Sequence, residues 1–243
     1  MKNSFWKIEK RECVSSTNTV LKEMAKAGAP TGSVLIARTQ SAGRGRLGRS
    51  FYSPAGGVYL SLLLRPDFNM DEVLLITPAA AVAAAKACEK ISGQPIQIKW
   101  VNDLLLHGKK ICGILCESIL RPDGTNDGII VGVGVNLTPP PGGFPPDILQ
   151  RAGALNTPGQ EEAFCTAFLS FMEEILQDFQ SHSFLKQYRD RCPMIGQFVT
   201  LRHGNEIVSG VVQEIDDHAA LVLRTADGNV KSFSAGEVTS RLS

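Results

Sequence analysis

Residues 43–57 read GRGRLGRSFYSPAGG. Gly43, Gly45 and Gly48 have the G-x-G-x-x-G spacing of a turn that seats a dinucleotide's pyrophosphate on a helix N-terminus. Taken that way, the chain would be a doubly wound parallel α/β fold. The residues that follow exclude it. Pro54, Gly56 and Gly57 make a helix there untenable, and no acidic residue ends a second parallel strand about 20 positions on. What remains is a loop with three glycines and three arginines in residues 43–49. Arg44 and Arg46 are two apart, so an extended chain points both the same way, and Arg49 adds a third charge. Such a cluster repels itself unless an anion joins it, and the glycines let the backbone close over that anion. The loop reads as a mobile clamp for phosphate or carboxylate; a flexible solvated loop tip is the plain alternative.

Strand-like apolar runs flank the loop, SVLIART (33–39) before it and GGVYLSLLLRP (56–66) after it, the second ended by Pro66. Upstream, SSTNTVLKEMAKAG offers Ser16 or Thr17 as a helix N-cap, Val20, Leu21 and Met24 on one face, and Gly28 as a stop. Downstream, residues 71–92 form a long helix with Asp71 as candidate cap and Gly93 just past its end; Pro78 either kinks or restarts it. Three strands follow, IQIKWV (96–101), KICGILCESIL (110–120) and GIIVGVGVNLT (128–138). The turn signals HGKK and RPDGTND lie between them, as in an antiparallel meander. PPPGGFPP (139–146) reads as a surface loop. An amphipathic helix from about residue 161 to 179 buries Phe164, Phe168, Phe171, Met172, Ile175 and Phe179. After Cys192-Pro193 the chain becomes short strands separated by HGN, DDH, ADGN and SAG, a small all-β unit. The expected fold class is α+β: a mixed, largely antiparallel sheet with helices over residues 1–192, and a small β-barrel over 193–243.

With a formal net charge of +1, no global field steers the chain toward nucleic acid or an acidic membrane. The N-terminus has no apolar secretory region, and ITPAAAVAAAKAC is too short and alanine-rich for a membrane span. The six cysteines include no C-x-x-C pair and are read as reduced cytoplasmic thiols.

GRGRLGRSF resembles the G-R-G-R-x-G-R-x-W signature of biotin protein ligases, and further pieces match in the same order. These are STN (16–18), Gln40, KWVND (99–103), GKKICGILCE (108–117), GVGVNL (132–137) and the tail AGEVTSRL. The resemblance implies a catalytic domain like that of class II aminoacyl-tRNA synthetases and an SH3-like C-terminal barrel. It implies that biotin is activated by ATP to biotinyl-5′-AMP and passed to a lysine of the biotin carboxyl carrier protein of acetyl-CoA carboxylase. ATP and biotin would be substrates and Mg²⁺ would accompany the ATP. No protein-built metal site, DNA or membrane partner is expected; a homodimer is left open.

Within that frame Lys99, Arg44 and Arg46 are the expected catalytic residues, because carboxylate and triphosphate repel one another and positive groups must sit where charge builds at the α-phosphorus. The expected biotin-binding set is Ser16, Thr17, Asn18, Gln40, Arg44, Gly45, Arg46 and Lys99. The neutral ureido ring needs a few placed donors and acceptors, though helix capping alone also accounts for residues 16–18. Gln40 would serve the ureido group or the clamp's backbone. Gly113, Gly132 and Gly134 would let ligand lie close to the sheet. Asn102 and Asn136 are candidates for ATP or Mg²⁺, and ordinary turn residues otherwise.

Three departures from the family pattern stand out: Val101 for the usual proline, Phe51 for tryptophan, and SAGE for G-G-E. None removes a charge. Some family members carry an N-terminal DNA-binding domain; the residues before Ser16 leave no room for one, so repressor function is not expected. The alternatives are a lipoate or octanoate ligase of the same fold and a non-catalytic biotin sensor.

Overall fold

The computed structural model describes residues 5–65 and 70–240. It opens with a strand the hydrophobic pattern did not announce, β1 (Lys7–Val14). All its residues except Val14 are exposed, and it lies at the sheet edge, parallel to its neighbour, so no apolar alternation marks it. Helix α1 (Thr17–Lys26) follows, capped by Ser16, whose Oγ accepts from Thr19 N at 3.5 Å. Then come β2 (Ser33–Gln40) and, beyond the clamp loop, β3 (Gly57–Leu64). Pro66, the expected strand end, lies outside the described residues, as do Arg241 and Leu242 of the tail.

Helix α2 (Met70–Ser92) runs through Pro78, with Asp71 inside its first turn and not at its cap. Ala79, Ala80, Ala81, Ala83, Ala84 and Ala85 are fully buried. Alanine side chains end at Cβ, so sheet and helices can approach α2 on every side. No helix among the described residues is long and apolar enough to cross a membrane.

The expected strand at 96–101 is instead half of a hairpin. β4 (Gln97–Lys99) turns through Trp100–Asn102 into β5 (Asp103–Leu106). Trp100 and Val101 favour a strand, but tertiary contacts override that preference. Trp100 is buried and its indole N–H donates to Ala219 O at 2.9 Å, while Asn102 Nδ2 donates to Ile114 O at 2.8 Å. β6 (Lys109–Leu120) and β7 (Asn126–Asn136) complete a seven-stranded sheet, in the order β1-β2-β3-β7-β6-β5-β4, antiparallel throughout except for β1–β2. The expected mixed, largely antiparallel sheet is borne out.

Helix α3 (Glu161–Gln177) buries Phe164, Phe168, Met172 and Ile175. Phe171 is only partly covered, and the Lys86 ammonium lies 4.1 Å from its ring centroid. After a short helical turn that contains the buried Phe179, α4 (Ser183–Asp190) leads to the C-terminal sheet. Its strands are β8 (Phe198–His203), β9 (Glu206–Ile215), β10 (Leu221–Thr225), β11 (Val230–Phe233) and β12 (Glu237–Ser240). They form an antiparallel sheet in the order β11-β10-β9-β8-β12, consistent with an SH3-like unit. One buried apolar cluster runs from α2 and the large sheet into Val199, Leu201, Leu221 and Val238 of this smaller sheet.

Candidate active site

Sheet register sets one row of residues across five strands. Lys99 pairs with Asp103, Asp103 with Gly113, Gly113 with Gly134 and Gly134 with Tyr59. Paired residues share a face of the sheet, so a lysine and a carboxylate stand at one end of a glycine floor. The next same-face row pairs Leu115, Gly132 and Ser61. Above this floor lies a cleft of about 440 Å³.

The glycines are required by what covers them. A Cβ at Gly134 would stand 2.6 Å from the Phe51 ring, one at Gly113 3.0 Å from the same ring, and one at Gly132 2.0 Å from Asn18 Oδ1. The floor therefore admits Phe51 and Asn18 directly onto the backbone. Phe51 retains the aromatic cover despite its departure from tryptophan.

Of the expected biotin residues, Thr17, Asn18 and Gln40 form one hydrogen-bonded group. Thr17 N and Oγ1 both donate to Gln40 Oε1, at 2.8 and 3.1 Å, and Gln40 Nε2 donates to Ser53 Oγ at 2.8 Å. Gln40 thus braces the start of α1. Asn18 Nδ2 donates to Leu115 O and Glu117 Oε2 at 3.1 and 2.8 Å. Ser61 Oγ lies 2.7 Å from Thr17 Oγ1 and 2.6 Å from Asn18 Oδ1. A hydroxyl has one proton, so Asn18 Oδ1, which cannot donate, takes the one on Ser61, and Thr17 Oγ1 shares its own between Ser61 Oγ and Gln40 Oε1. Ser61 and Glu117 were missed as site residues. Glu117 lay within a recognised motif, but Ser61 is one polar residue in an apolar strand and meets α1 only through the fold.

Each clamp arginine has a partner within the protein. Arg44 pairs with Glu117 at 2.9 Å, Arg46 Nη1 donates to Asn102 Oδ1 at 3.1 Å, and Arg49 pairs with Glu237 of β12 at 2.5 Å. Both ion pairs are half-open to water, where such pairs are worth about 0–1 kcal/mol. Arg44 bridges to Ser50, and the Gly45 N–H is taken by Arg49 O at 2.7 Å. The Gly45 N–H is thus used inside the loop's own turn.

Lys99 lines the cleft and, among the described residues, its ammonium has no hydrogen bond or ion pair. A second lysine the sequence reading did not assign is also there. Lys110 Nζ stands 2.7 Å from Asp103 Oδ1 and 5.6 Å from the Phe51 ring centroid, over Gly113. Asn102 lines the cleft, but its side chain is committed to Arg46 and Ile114. Asn136 is not among the cleft-lining residues; its amide donates to Gly153 O at 2.9 Å.

All six cysteines are free thiols. Cys112 and Cys116 flank the floor on β6, and burial raises both thiols, Cys116 to about 11. A nucleophilic cysteine needs the opposite shift, so neither is poised for covalent catalysis. Among the described residues, no group of three or more His, Cys, Asp or Glu could hold a metal ion.

Residues 11–136 match the family model described as Biotin/lipoate A/B protein ligase family, and residues 194–239 match Biotin protein ligase C terminal domain. The chain is 34% identical over 232 residues to the bifunctional ligase/repressor BirA of Bacillus subtilis, covering 92% of this chain and 71% of that protein. It is 32% identical over 205 residues to the biotin–[acetyl-CoA-carboxylase] ligase of Paracoccus denitrificans, covering 80% of this chain and 85% of that one. Among solved structures, the biotin protein ligase of Aquifex aeolicus in complex with biotin and ATP superposes with a TM-score of 0.81 and 29% identity, over 96% of this chain and 98% of the other.

Proposed function

The chain belongs to the biotin/lipoate A/B protein ligase family, and from that membership we propose that it is an ATP-dependent biotin protein ligase. The observation that carries this reading is the glycine-floored cleft with Lys99 and Lys110 at one end and the Thr17–Asn18–Gln40–Ser61 group at the other. The apolar and amide-rich part suits a neutral ring on an aliphatic tail, and the cationic part suits its carboxylate and a triphosphate.

A carboxylate oxygen of biotin attacks the α-phosphorus of ATP; the bond to the bridging oxygen breaks and pyrophosphate leaves. The amine of a carrier lysine then attacks the acyl carbon of biotinyl-5′-AMP. AMP departs, an amide forms and a proton passes to solvent. In the first step Lys99, Lys110, Arg44 and Arg46 supply fixed positive charge where anions converge. Asn18 and Thr17 orient the ring, with Gln40 and Ser61 holding them. Mg²⁺ would shield phosphate charge when it accompanies ATP. Both carboxylates that line the cleft are held by cations, Asp103 by Lys110 and Glu237 by Arg49, so the phosphates of ATP would supply the ion's ligands. The acceptor is the carrier protein of acetyl-CoA carboxylase, and we place the reaction in the cytoplasm.

Pyrophosphate release tests the reading: biotin with ATP should give it, while lipoate or octanoate in place of biotin should not. Release with lipoate or octanoate in preference to biotin, or none with any acid, overturns it.

The clamp should be held loosely until biotin arrives, since its two exposed ion pairs stabilise it little. Trypsin should first cut the ligand-free protein after Arg44, Arg46 or Arg49, and biotin plus ATP should slow that cut strongly. Sites are to be mapped by mass spectrometry, because ligand also stabilises the whole fold. Unchanged loop cleavage with ligand would show a rigid cradle instead.

A further inference from the structure

Neither step of the reaction uses Glu117, the carboxylate that ends the recognised strand motif of β6. It shares a face of that strand with Gly113 and Leu115. Register pairs it with Ile130, one same-face row beyond Leu115 and Gly132. At about 3.4 Å per residue, it stands roughly 13 Å along the strand from Gly113. Gly113 is in the row of Lys99 and Asp103, so the charge of Glu117 is kept away from the end where carboxylate and triphosphate meet.

This one carboxylate joins two elements. Its Oε1 lies 2.9 Å from Arg44 Nη2, and Arg44 Nη1 donates to Oε2 at 3.3 Å, the two-pronged pairing that guanidinium and carboxylate favour. Oε2 also accepts from Asn18 Nδ2 at 2.8 Å. Arg44 comes from the clamp and Asn18 from the start of α1. An ionised carboxylate can only accept. Glu117 and Leu115 O therefore turn the amide nitrogen of Asn18 toward β6, while Ser61 meets Oδ1. The Glu117 side chain is 17% exposed and that of Arg44 47%. The carboxylate is set into the wall, and the guanidinium above it is open to water.

We propose that Glu117 is a positioning residue for the ring of biotin: the counter-ion that lets Arg44 be covered, and the anchor that sets the Asn18 amide. This rests on the ligase reading above and extends it to the selection of a neutral ring. A ring laid at this end of the cleft strips water from Arg44. A guanidinium covered without a partner loses its hydration for nothing, whereas one already paired keeps its compensation. The half-open pair stabilises the empty protein little, and it strengthens as the ring excludes water. The effect of Glu117 therefore falls on biotin binding. The same charge repels an anion, so the acid enters with its carboxylate toward Lys99 and Lys110 and its neutral end toward Glu117.

The test compares the intact parent with Glu117→Gln, Glu117→Asp, Arg44→Ala and the double variant Arg44→Ala with Glu117→Gln. Glutamine keeps the size and an acceptor for Asn18 but loses the charge that Arg44 meets. In pyrophosphate release, Glu117→Gln should raise the KM for biotin about tenfold. Its kcat at saturating biotin should stay within about threefold of the parent, and its KM for ATP within about twofold. Glu117→Asp keeps the charge and should recover part of the loss. Added to Arg44→Ala, Glu117→Gln should raise the KM for biotin by less than about threefold further, the non-additivity of residues that act as a pair. An unchanged KM for biotin in Glu117→Gln would overturn the assignment. So would a full tenfold effect that persists without Arg44. A rise in the KM for biotin and for ATP together, with a lower melting temperature, would make Glu117 a structural residue and overturn it too. A parent protein that releases no pyrophosphate from biotin and ATP overturns the ligase reading itself, an outcome distinct from all of these.

Discussion

Replacing Lys99 with alanine should slow biotinyl-5′-AMP formation about 10²–10³-fold, and replacing Lys110 should slow it at least as much. Both ammonium groups sit at the end of the cleft where carboxylate and triphosphate must approach. Removing one leaves the transition state short of a fixed charge that bulk water replaces poorly in a confined site. Lys110 carries a second consequence, because Asp103 lies 2.7 Å from it. Lys110→Ala adds an uncompensated carboxylate to a site that gathers anions. Lys110→Ala combined with Asp103→Asn should therefore be faster than Lys110→Ala alone, a non-additivity expected of residues in contact. Single-turnover adenylation followed by quenching separates this from carrier binding. A rate within about threefold of the parent for either lysine would remove it from the chemistry.

Trp100→Ala should cost about 3–5 kcal/mol of stability, the range for truncating a buried large aromatic. At roughly 2–4 °C per kcal/mol for a chain of this size, the melting temperature should fall by about 6–20 °C. Trp100 forms the turn between Lys99 and Asp103, is 3% exposed, and donates its indole N–H to Ala219 O of the C-terminal sheet. It therefore joins the catalytic hairpin to the smaller sheet. Trp100→Phe keeps most of the volume and loses only the hydrogen bond, so it should cost about 1–3 kcal/mol by leaving Ala219 O unsatisfied. Calorimetry with and without biotin reads both. A loss for Trp100→Ala below about 1 kcal/mol would mean the hairpin is held by other contacts.

Where a side chain's role follows from its neighbours along the chain, the sequence was readable. Ser16 caps α1 as expected, the Pro54–Gly57 stretch carries no helix, and Arg44, Gly45, Arg46 and Arg49 line the cleft. Alternation and turn residues marked most strands and the α+β class. Edge strand β1 escaped, because water on nearly every side chain leaves no apolar period. Lys110 escaped because GKK reads as a turn and a strand start; only the pairing of β5, β6 and β7 sets it over Gly113 beside Asp103.

The amino-acid sequence by itself determined the fold class, the glycine–arginine loop and the family resemblance, since each depends on local pattern: propensity, period, or residue types at short spacing. Only the tertiary structure decided which of those residues meet. The turn inside IQIKWV is set by Trp100 reaching Ala219, and Glu237 is brought to Arg49 by the docking of the small sheet. Asn136 becomes an anchor for the segment at Gly153 and not part of the cleft wall. These contacts join residues far apart in the chain. Long-range burial and hydrogen bonding compete there with local preference, and at the Trp100–Asn102 turn they override it.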